Sequence, residues 1–382
     1  KVIVDAISSW WVNLHGHGND ELADVLANQV RELDHVIFAG FTHEPAITLV
    51  DGLLKLLPET FRRAFFSDDG STAIEVAIKL AIQYWENIGE SRKTIITLEG
   101  GYHGDTFGAM SLGGKSEFFT CFHDMLFDVQ ELPFPIGNGD NTRQALKEIL
   151  DNDSPALFIY EPLVQGAAGM RIYSPELLTD LLESVQEKKV VCIADEVMTG
   201  FYRTGKMFAS DYVVPKPDMV CLSKGITGGI MPLGLTLVNE RIEQAFDSDD
   251  KAKAFYHGHS FTGNPLSSAI AVKSLEILHR KETQDRIGNI ILKHAAFATK
   301  ITQHKKVKEV KTLGTIISIE IQAEESTSYF NSLRDVLYQE FLKEGVLLRP
   351  LGNVVYIFPP YSFTDVELNK CYSAIETVLN KI

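Results

Sequence analysis

The chain has 382 residues, 45% hydrophobic and 23% charged, an ordinary globular composition with room for one large domain and a smaller companion. A formal net charge of −15 argues against nucleic acid and anionic membrane surfaces as partners. No stretch approaches the roughly 18 apolar residues of a membrane span, and four scattered cysteines (Cys121, Cys192, Cys221, Cys371) predict a reducing, cytoplasmic setting without disulfides.

The opening, "KVIVDAISSWW", has neither a signal-peptide layout nor an initiator Met and reads as the interior of a longer chain. From about residue 60 to 240, short apolar runs alternate with helix-like stretches. "RRAFFS" precedes "STAIEVAIKLAIQYW", whose Ile74, Ala77, Ile78 and Ala81 recur at helical spacing. "KTIITLEGG", "PALFIYEP", "VVCIADE", "DMVCLSKG" and "PLGLTLVN" follow as strand candidates. Continuous apolar strands between helices predict a parallel sheet covered on both faces, with ligands bound at the carboxyl ends of its strands. After about residue 265 the pattern changes. "NPLSSAIAVKSLEILHR" and "RIGNIILKHAAFATKITQHK" predict long helices, and "VKTLGTIISIEIQ", "GVLLRPLG" and "VVYIFPP" predict strands of a separate small domain.

Two of the central runs end in a single charged residue, Asp195 and Lys224. A lysine in apolar surroundings has its pKa lowered and becomes a nucleophilic amine. Alone, Lys224 also fits a surface lysine and Asp195 a solvated strand end. Together they fit pyridoxal phosphate, which needs a lysine for its aldehyde and a carboxylate for its ring nitrogen. In "SDDGSTAIEVA", Gly70 and Ser71 open a helix whose N–H groups suit a phosphate. In "LEGGYHGDTFGAM", Tyr102 offers an aromatic face. The chain has no GxxxxGK[ST] loop, and its glycine-rich stretches lack a dinucleotide fingerprint. His15, His17, His103, His257 and His259 show no ligand spacing, so no metal is expected.

"IADEVMTGFYRTGKMFA", "PDMVCLSKGITGG" and "FYHGHSFTGNPLSSAIA" resemble the class III aminotransferases in sequence and in order, over nearly the whole chain. The resemblance implies an α/β protein of the type I pyridoxal-phosphate transferase fold, with a large, mostly parallel sheet covered by helices and a smaller α+β domain. The expected division is an N-terminal segment (1–43) serving the small domain and substrate site, a large cofactor-binding domain (44–279) and a small domain (280–382). It further implies pyridoxal 5'-phosphate as cofactor, Lys224 and Asp195 as its covalent and ring-nitrogen partners, Tyr102 stacked on the ring, and Gly70 and Ser71 at the phosphate. The active site is expected at a homodimer interface, where Gly258, His259 and Ser260 reach the partner's cofactor.

Within that family, "ISSWWVNLHGHG", "HVIFAGFTHEPA", "EPLVQGAAGM" and "LLRPLGNVVYIFPPY" resemble the branch of biotin biosynthesis that aminates 8-amino-7-oxononanoate with S-adenosylmethionine as donor. Trp10 and Trp11 then offer an apolar wall, Arg349 a fork for the distal carboxylate, and Arg203 a further substrate contact. Tyr202 stands where the family usually has Gly. A lysine donor, a broad ω-amino acid or diamine transaminase, and a non-catalytic binding protein on the same fold remain as alternatives.

Overall fold

The structure is a computed structural model that describes residues 2–114, 117–324 and 327–382. Its strands run in chain order as β1 (Val4–Asp5), β2 (Phe61–Ser67), β3 (Ile95–Leu98), β4 (Gln130–Leu132), β5 (Leu157–Tyr160), β6 (Val164–Gln165) and β7 (Arg171–Ile172). They continue as β8 (Val191–Asp195), β9 (Met219–Leu222), β10 (Gly234–Asn239), β11 (Val307–Leu313), β12 (Ile316–Ile321), β13 (Val346–Leu347) and β14 (Val354–Ile357). All six apolar runs expected between residues 60 and 240 are strands of one seven-stranded sheet, ordered β2-β10-β9-β8-β5-β3-β4. Strands β9, β8, β5, β3 and β4 run parallel, and β10 is antiparallel to both its neighbours. The sheet is therefore mostly parallel, as expected.

The two central strands explain why their sequences are apolar without alternation. Leu157–Tyr160 and residues 191–194 are fully shielded from solvent, because helices cover both faces of a parallel sheet. Each buried Leu, Ile or Val contributes about 1.5–3 kcal/mol before the entropy of ordering the chain is subtracted. The helix Gly70–Asn87 covers one face with Ala73, Ile74, Ala77, Ile78 and Ala81 buried. Its alanines allow close approach: Thr236 Oγ1 of β10 donates to Ala73 O at 2.7 Å. The helix starts at Asp69 because that side chain accepts from Thr72 N–H at 2.9 Å, while Thr72 Oγ1 accepts from Asp69 N–H at 3.2 Å.

A second sheet, β11-β12-β14, is antiparallel and packs against the helix Lys281–Ile301. Strand β1 pairs in parallel with β13. Two further bonds, Phe358 N–H to Ala6 O and Tyr361 N–H to Leu14 O, both 2.8 Å, tie the first residues to the C-terminal part. Those bonds fix the path of Trp10 and Trp11. Among the described residues, no helix is long and apolar enough to cross a membrane.

His294, buried in the helix Lys281–Ile301, joins three elements. Its Nε2–H donates to Thr315 O at 3.1 Å, so its Nδ1 accepts from Tyr372 O–H at 2.7 Å and the ring is neutral. Burial lowers its pKa to about 4, against a smaller opposing effect of the Thr315 bond. A depressed folded pKa contributes stability above the unfolded value near 6.5, and that stability is lost as pH falls toward 4. From this group the loss is on the order of 3 kcal/mol. We expect His294→Gln to flatten the fall in urea midpoint between pH 6.5 and 4. Equal slopes in both proteins would place the acid sensitivity elsewhere.

Candidate active site

Four adjacent strands deliver ionisable groups to one edge of the large sheet. Asp195 is the last residue of β8, Glu161 follows β5, Lys224 lies two residues beyond β9, and Tyr102 and His103 lie just beyond β3. They line one cleft of about 520 Å³ together with Trp10, Trp11, Gly70, Ser71, Val197 and Met198. That volume suits a small cofactor with a substrate.

Lys224 carries a left-handed φ of 45°, a strained setting for a side chain with a Cβ that clusters at functional sites. Its Nζ lies 4.8 Å from the centre of the Trp11 ring. Among the described residues, none gives it a hydrogen bond or an ion pair. Burial holds its pKa below the usual lysine range, against the opposing charges of Asp195 and Glu161. It is an unpartnered amine aimed into a cleft.

Asp195 is held from two sides. Its Oδ1 accepts from Val197 N–H at 3.1 Å, and its Oδ2 faces His103 Nδ1 at 2.7 Å. Burial opposes a charge on His103, but the bond and charge of Asp195, with help from Glu161, hold the imidazole above its ordinary pKa. Glu161 is buried as well. Burial raises its carboxyl to about 7; His103 and bonds from Gly166 and Tyr102 oppose the rise, and Asp195 adds to it. Burial likewise keeps the Tyr102 phenol protonated well above its ordinary range.

At the cleft's other end, the first-turn N–H groups of Gly70 and Ser71 have no partner four residues back in the helix. Ser71 Oγ accepts from Asp105 N–H at 3.1 Å. Gly104 closes over this helix start, with φ 135° and a would-be Cβ inside contact distance of the Ser71 side chain. Gly70 itself has Val197 Cγ1 at 2.8 Å from its would-be Cβ. The cleft thus pairs a helix start that can hold an anion with a free amine and a carboxylate. The donor set fits pyridoxal phosphate: a helix start for the phosphate, an amine for the aldehyde and a carboxylate for the ring nitrogen.

The family described as Aminotransferase class-III matches residues 1–379. The chain is a class III aminotransferase. This aminotransferase is 44% identical over 391 residues to the adenosylmethionine-8-amino-7-oxononanoate aminotransferase of Synechococcus elongatus, covering 100% of this chain and 92% of that one. The Helicobacter pylori protein of the same name is 36% identical, covering 99% and 88%. Among solved structures, that of the same-named Methanocaldococcus jannaschii protein superposes with a TM-score of 0.93 at 32% identity, covering 99% and 89%. An amine transaminase from an uncultivated Pseudomonas species, solved with pyridoxal phosphate bound, superposes at 0.91 with 28% identity, covering 99% and 90%.

The aminotransferase brings Lys224, Asp195, Tyr102, Gly70, Ser71, Trp10 and Trp11 together in one cleft. Arg349 stands just outside: its guanidinium lies 4.2 Å from the Trp10 ring, and Nη2 donates to Tyr329 OH at 3.4 Å. Arg203 requires a correction. Expected at the substrate, it is 1% exposed and absent from the cleft lining. Its guanidinium donates to Pro359 O at 2.7 Å, Asn13 O at 3.2 Å and Trp11 O at 3.4 Å. Burial lowers its pKa to about 10. Through Nη1 and Nη2 it clamps the N-terminal and C-terminal segments to each other, away from the cleft.

Tyr202 has φ 69°, the left-handed conformation that favours Gly, and its ring packs edge-on to His279, away from the cleft. Gly258, His259 and Ser260 are exposed and outside this chain's cleft, with His259 Nδ1 3.5 Å from Asp68 at the cleft edge. His103 and Glu161 were missed from the sequence. The rule that found Asp195 and Lys224, a polar residue just past an apolar run, applies equally to "LEGGYH" and "FIYEP".

Proposed function

We propose that this aminotransferase moves an amino group from S-adenosylmethionine to 8-amino-7-oxononanoate, giving 7,8-diaminononanoate, as the names of similar proteins describe for them. The observation that carries the reading is the unpartnered amine of Lys224 facing the Asp195–His103 pair across one cleft. Pyridoxal 5'-phosphate, when bound, supplies an aldehyde for the travelling amino group and a conjugated ring that takes up the electrons left at carbon.

The chain's own residues do the rest. Gly70 and Ser71 at the helix start hold the phosphate. Asp195, oriented by His103 and Val197 N–H, would face the ring nitrogen of the bound cofactor and hold a proton there. Tyr102 forms a wall of the site. Lys224, whose pKa burial holds below the usual lysine range, would carry the proton between the donor's amine-bearing carbon and the bound cofactor. In the second half the same amine works in reverse, so the acceptor ketone leaves as an amine and the donor has left as a ketone.

Substrate recognition rests on the rim. Trp10 is 47% exposed, and Trp11, anchored by Nε1–H to Tyr356 OH at 3.1 Å, lies below Lys224. Ser8, Ser9 and Trp11 hold left-handed φ values of 51°, 60° and 66°, so this segment is strained where it meets substrate. Aromatic faces at Trp10 and Tyr102 favour the donor's sulfonium, and Arg349 beside Trp10 favours the acceptor's distal carboxylate. A second copy completes the site: Phe261, next in sequence to Gly258–Ser260 and packed on His35, is exposed, as are Ile37 and Phe41, apolar side chains suited to a homodimer interface. The cytoplasm suits four free cysteines.

Arg349→Ala tests the acceptor assignment. Losing a charge-assisted bond costs about 1.5–3 kcal/mol, or roughly 10- to 150-fold. That loss is expected in the 8-amino-7-oxononanoate half-reaction, with the adenosylmethionine half-reaction nearly unchanged, read as the rate of the visible spectral change in each. Equal damage to both halves would make Arg349 a structural residue. Ready turnover of short ω-amino acids, with none of the oxononanoate, would replace this reading with a broad ω-amino acid transaminase.

A further inference from the structure

Glu161 sits among the catalytic groups yet has no part in the chemistry derived so far. It is 6% exposed, and among the described residues no cation forms an ion pair with it. Its Oε1 accepts from Tyr102 N–H at 3.1 Å, and its Oε2 from Gly166 N–H at 2.9 Å. Its own carbonyl accepts from Tyr173 OH at 2.6 Å. One carboxylate therefore bonds to two separate walls of the cleft.

The second wall is a shelf. A Cβ on Gly166 would overlap Met198 Sδ and stand 3.2 Å from Trp11 Cη2. The absence of a side chain at 166 thus lets Met198 and Trp11 close together beneath Lys224, with the Trp11 ring 4.8 Å from its Nζ. The first wall is Tyr102, whose neighbour His103 holds Asp195. Any shift of Glu161 moves the Tyr102 loop and the Gly166 shelf relative to each other.

We propose that the Glu161 carboxylate is a positioning residue for amino transfer, bracing the Tyr102 loop against the Gly166 shelf and setting the electrostatic field at Lys224. The inference rests on the reading of Lys224 as the reacting amine. The groups facing Glu161 are Tyr102 and His103 beyond β3, Asp195 on β8, Lys224 beyond β9, and Arg171 and Tyr173 from the β7 side. Ionised, Glu161 accepts both N–H bonds at full strength and favours a proton on Lys224 and His103. Protonated, it gains an O–H that must find an acceptor, and both of its oxygens already face N–H donors. Since its carboxyl is raised to about 7, the brace tightens as pH rises through neutrality.

Glu161→Gln keeps the shape and removes the charge, while turning an amide N–H₂ toward one of the two backbone donors. In the holoenzyme, the pH midpoint of the visible band is expected to move down by about one unit, because a negative charge near Lys224 is gone. In the cofactor-free protein, amide hydrogen exchange at Tyr102 and Gly166 is expected to quicken at least roughly tenfold. Glu161→Asp restores the charge but is too short for both bonds, so it recovers the midpoint and leaves exchange fast at one of the two amides. An unmoved midpoint with unchanged exchange in Glu161→Gln overturns the inference. If the wild-type protein with cofactor shows no visible band, the Lys224 reading fails instead, and the exchange measurement still decides whether Glu161 braces the walls.

Discussion

Replacing Lys224 by Ala abolishes turnover, by on the order of 10⁴-fold or more, while leaving the cleft able to take up cofactor. Two roles vanish with one side chain, the covalent anchor and the proton carrier, and general acid–base catalysis alone contributes about 10²- to 10⁴-fold. The structure offers no substitute among its described residues. The nearby groups are carboxylates, an imidazole bonded to Asp195 and a phenol that burial keeps protonated. The left-handed backbone at Lys224 is a cost the native fold already carries, so Ala there adds no new strain. Its smaller size leaves the Trp11 ring exposed to the space the stem occupied. The variant is expected to fold, to bind pyridoxal phosphate through the helix start at Gly70, and to regain part of its proton transfer when a small primary amine is added. Turnover near the wild-type value would remove Lys224 from the chemistry.

Asp195→Asn is the second large effect. The amide matches the carboxylate in shape but cannot hold a proton on the ring nitrogen by charge. One well-placed electrostatic group is worth about 3 kcal/mol or more, which is roughly a 10²-fold loss of rate. The variant also reaches His103. Its raised pKa stands against burial only through the Asp195 bond and charge, with help from Glu161, so in the variant the imidazole titrates at lower pH. Nuclear magnetic resonance of the His103 ring protons reads this shift independently of turnover. Activity within about threefold of wild type would contradict the role, and an unmoved His103 would contradict the electrostatic coupling.

Much of the fold was legible because parallel strands buried on both faces must be continuously apolar. "VVCIADE" and "DMVCLSKG" show where that burial stops, at Asp195 and Lys224. The reversal of β10 was not legible, since "PLGLTLVN" is as apolar as its parallel neighbours and strand direction leaves no mark on composition. Strands β4, β6 and β7 span two or three residues, too few for any periodicity. His103 is not legible from histidine spacing, because its partner is an aspartate 92 positions away. Arg203 was misplaced for a related reason. The carbonyls of Trp11, Asn13 and Pro359 that occupy it come from opposite ends of the chain, and only the folded structure brings them together.

Amino transfer from S-adenosylmethionine to 8-amino-7-oxononanoate, in a cleft built on Lys224, separates into two halves that can be watched one at a time. The measurement is the visible spectrum of the purified holoenzyme, first with adenosylmethionine alone and then, after its removal, with the oxononanoate alone. Adenosylmethionine is expected to bleach the band, lysine offered in its place is expected to leave it unchanged, and the oxononanoate is expected to restore it with formation of one equivalent of diaminononanoate. A band bleached by lysine and left untouched by adenosylmethionine would contradict the donor assignment, and a bleached protein that the oxononanoate fails to restore would contradict the acceptor.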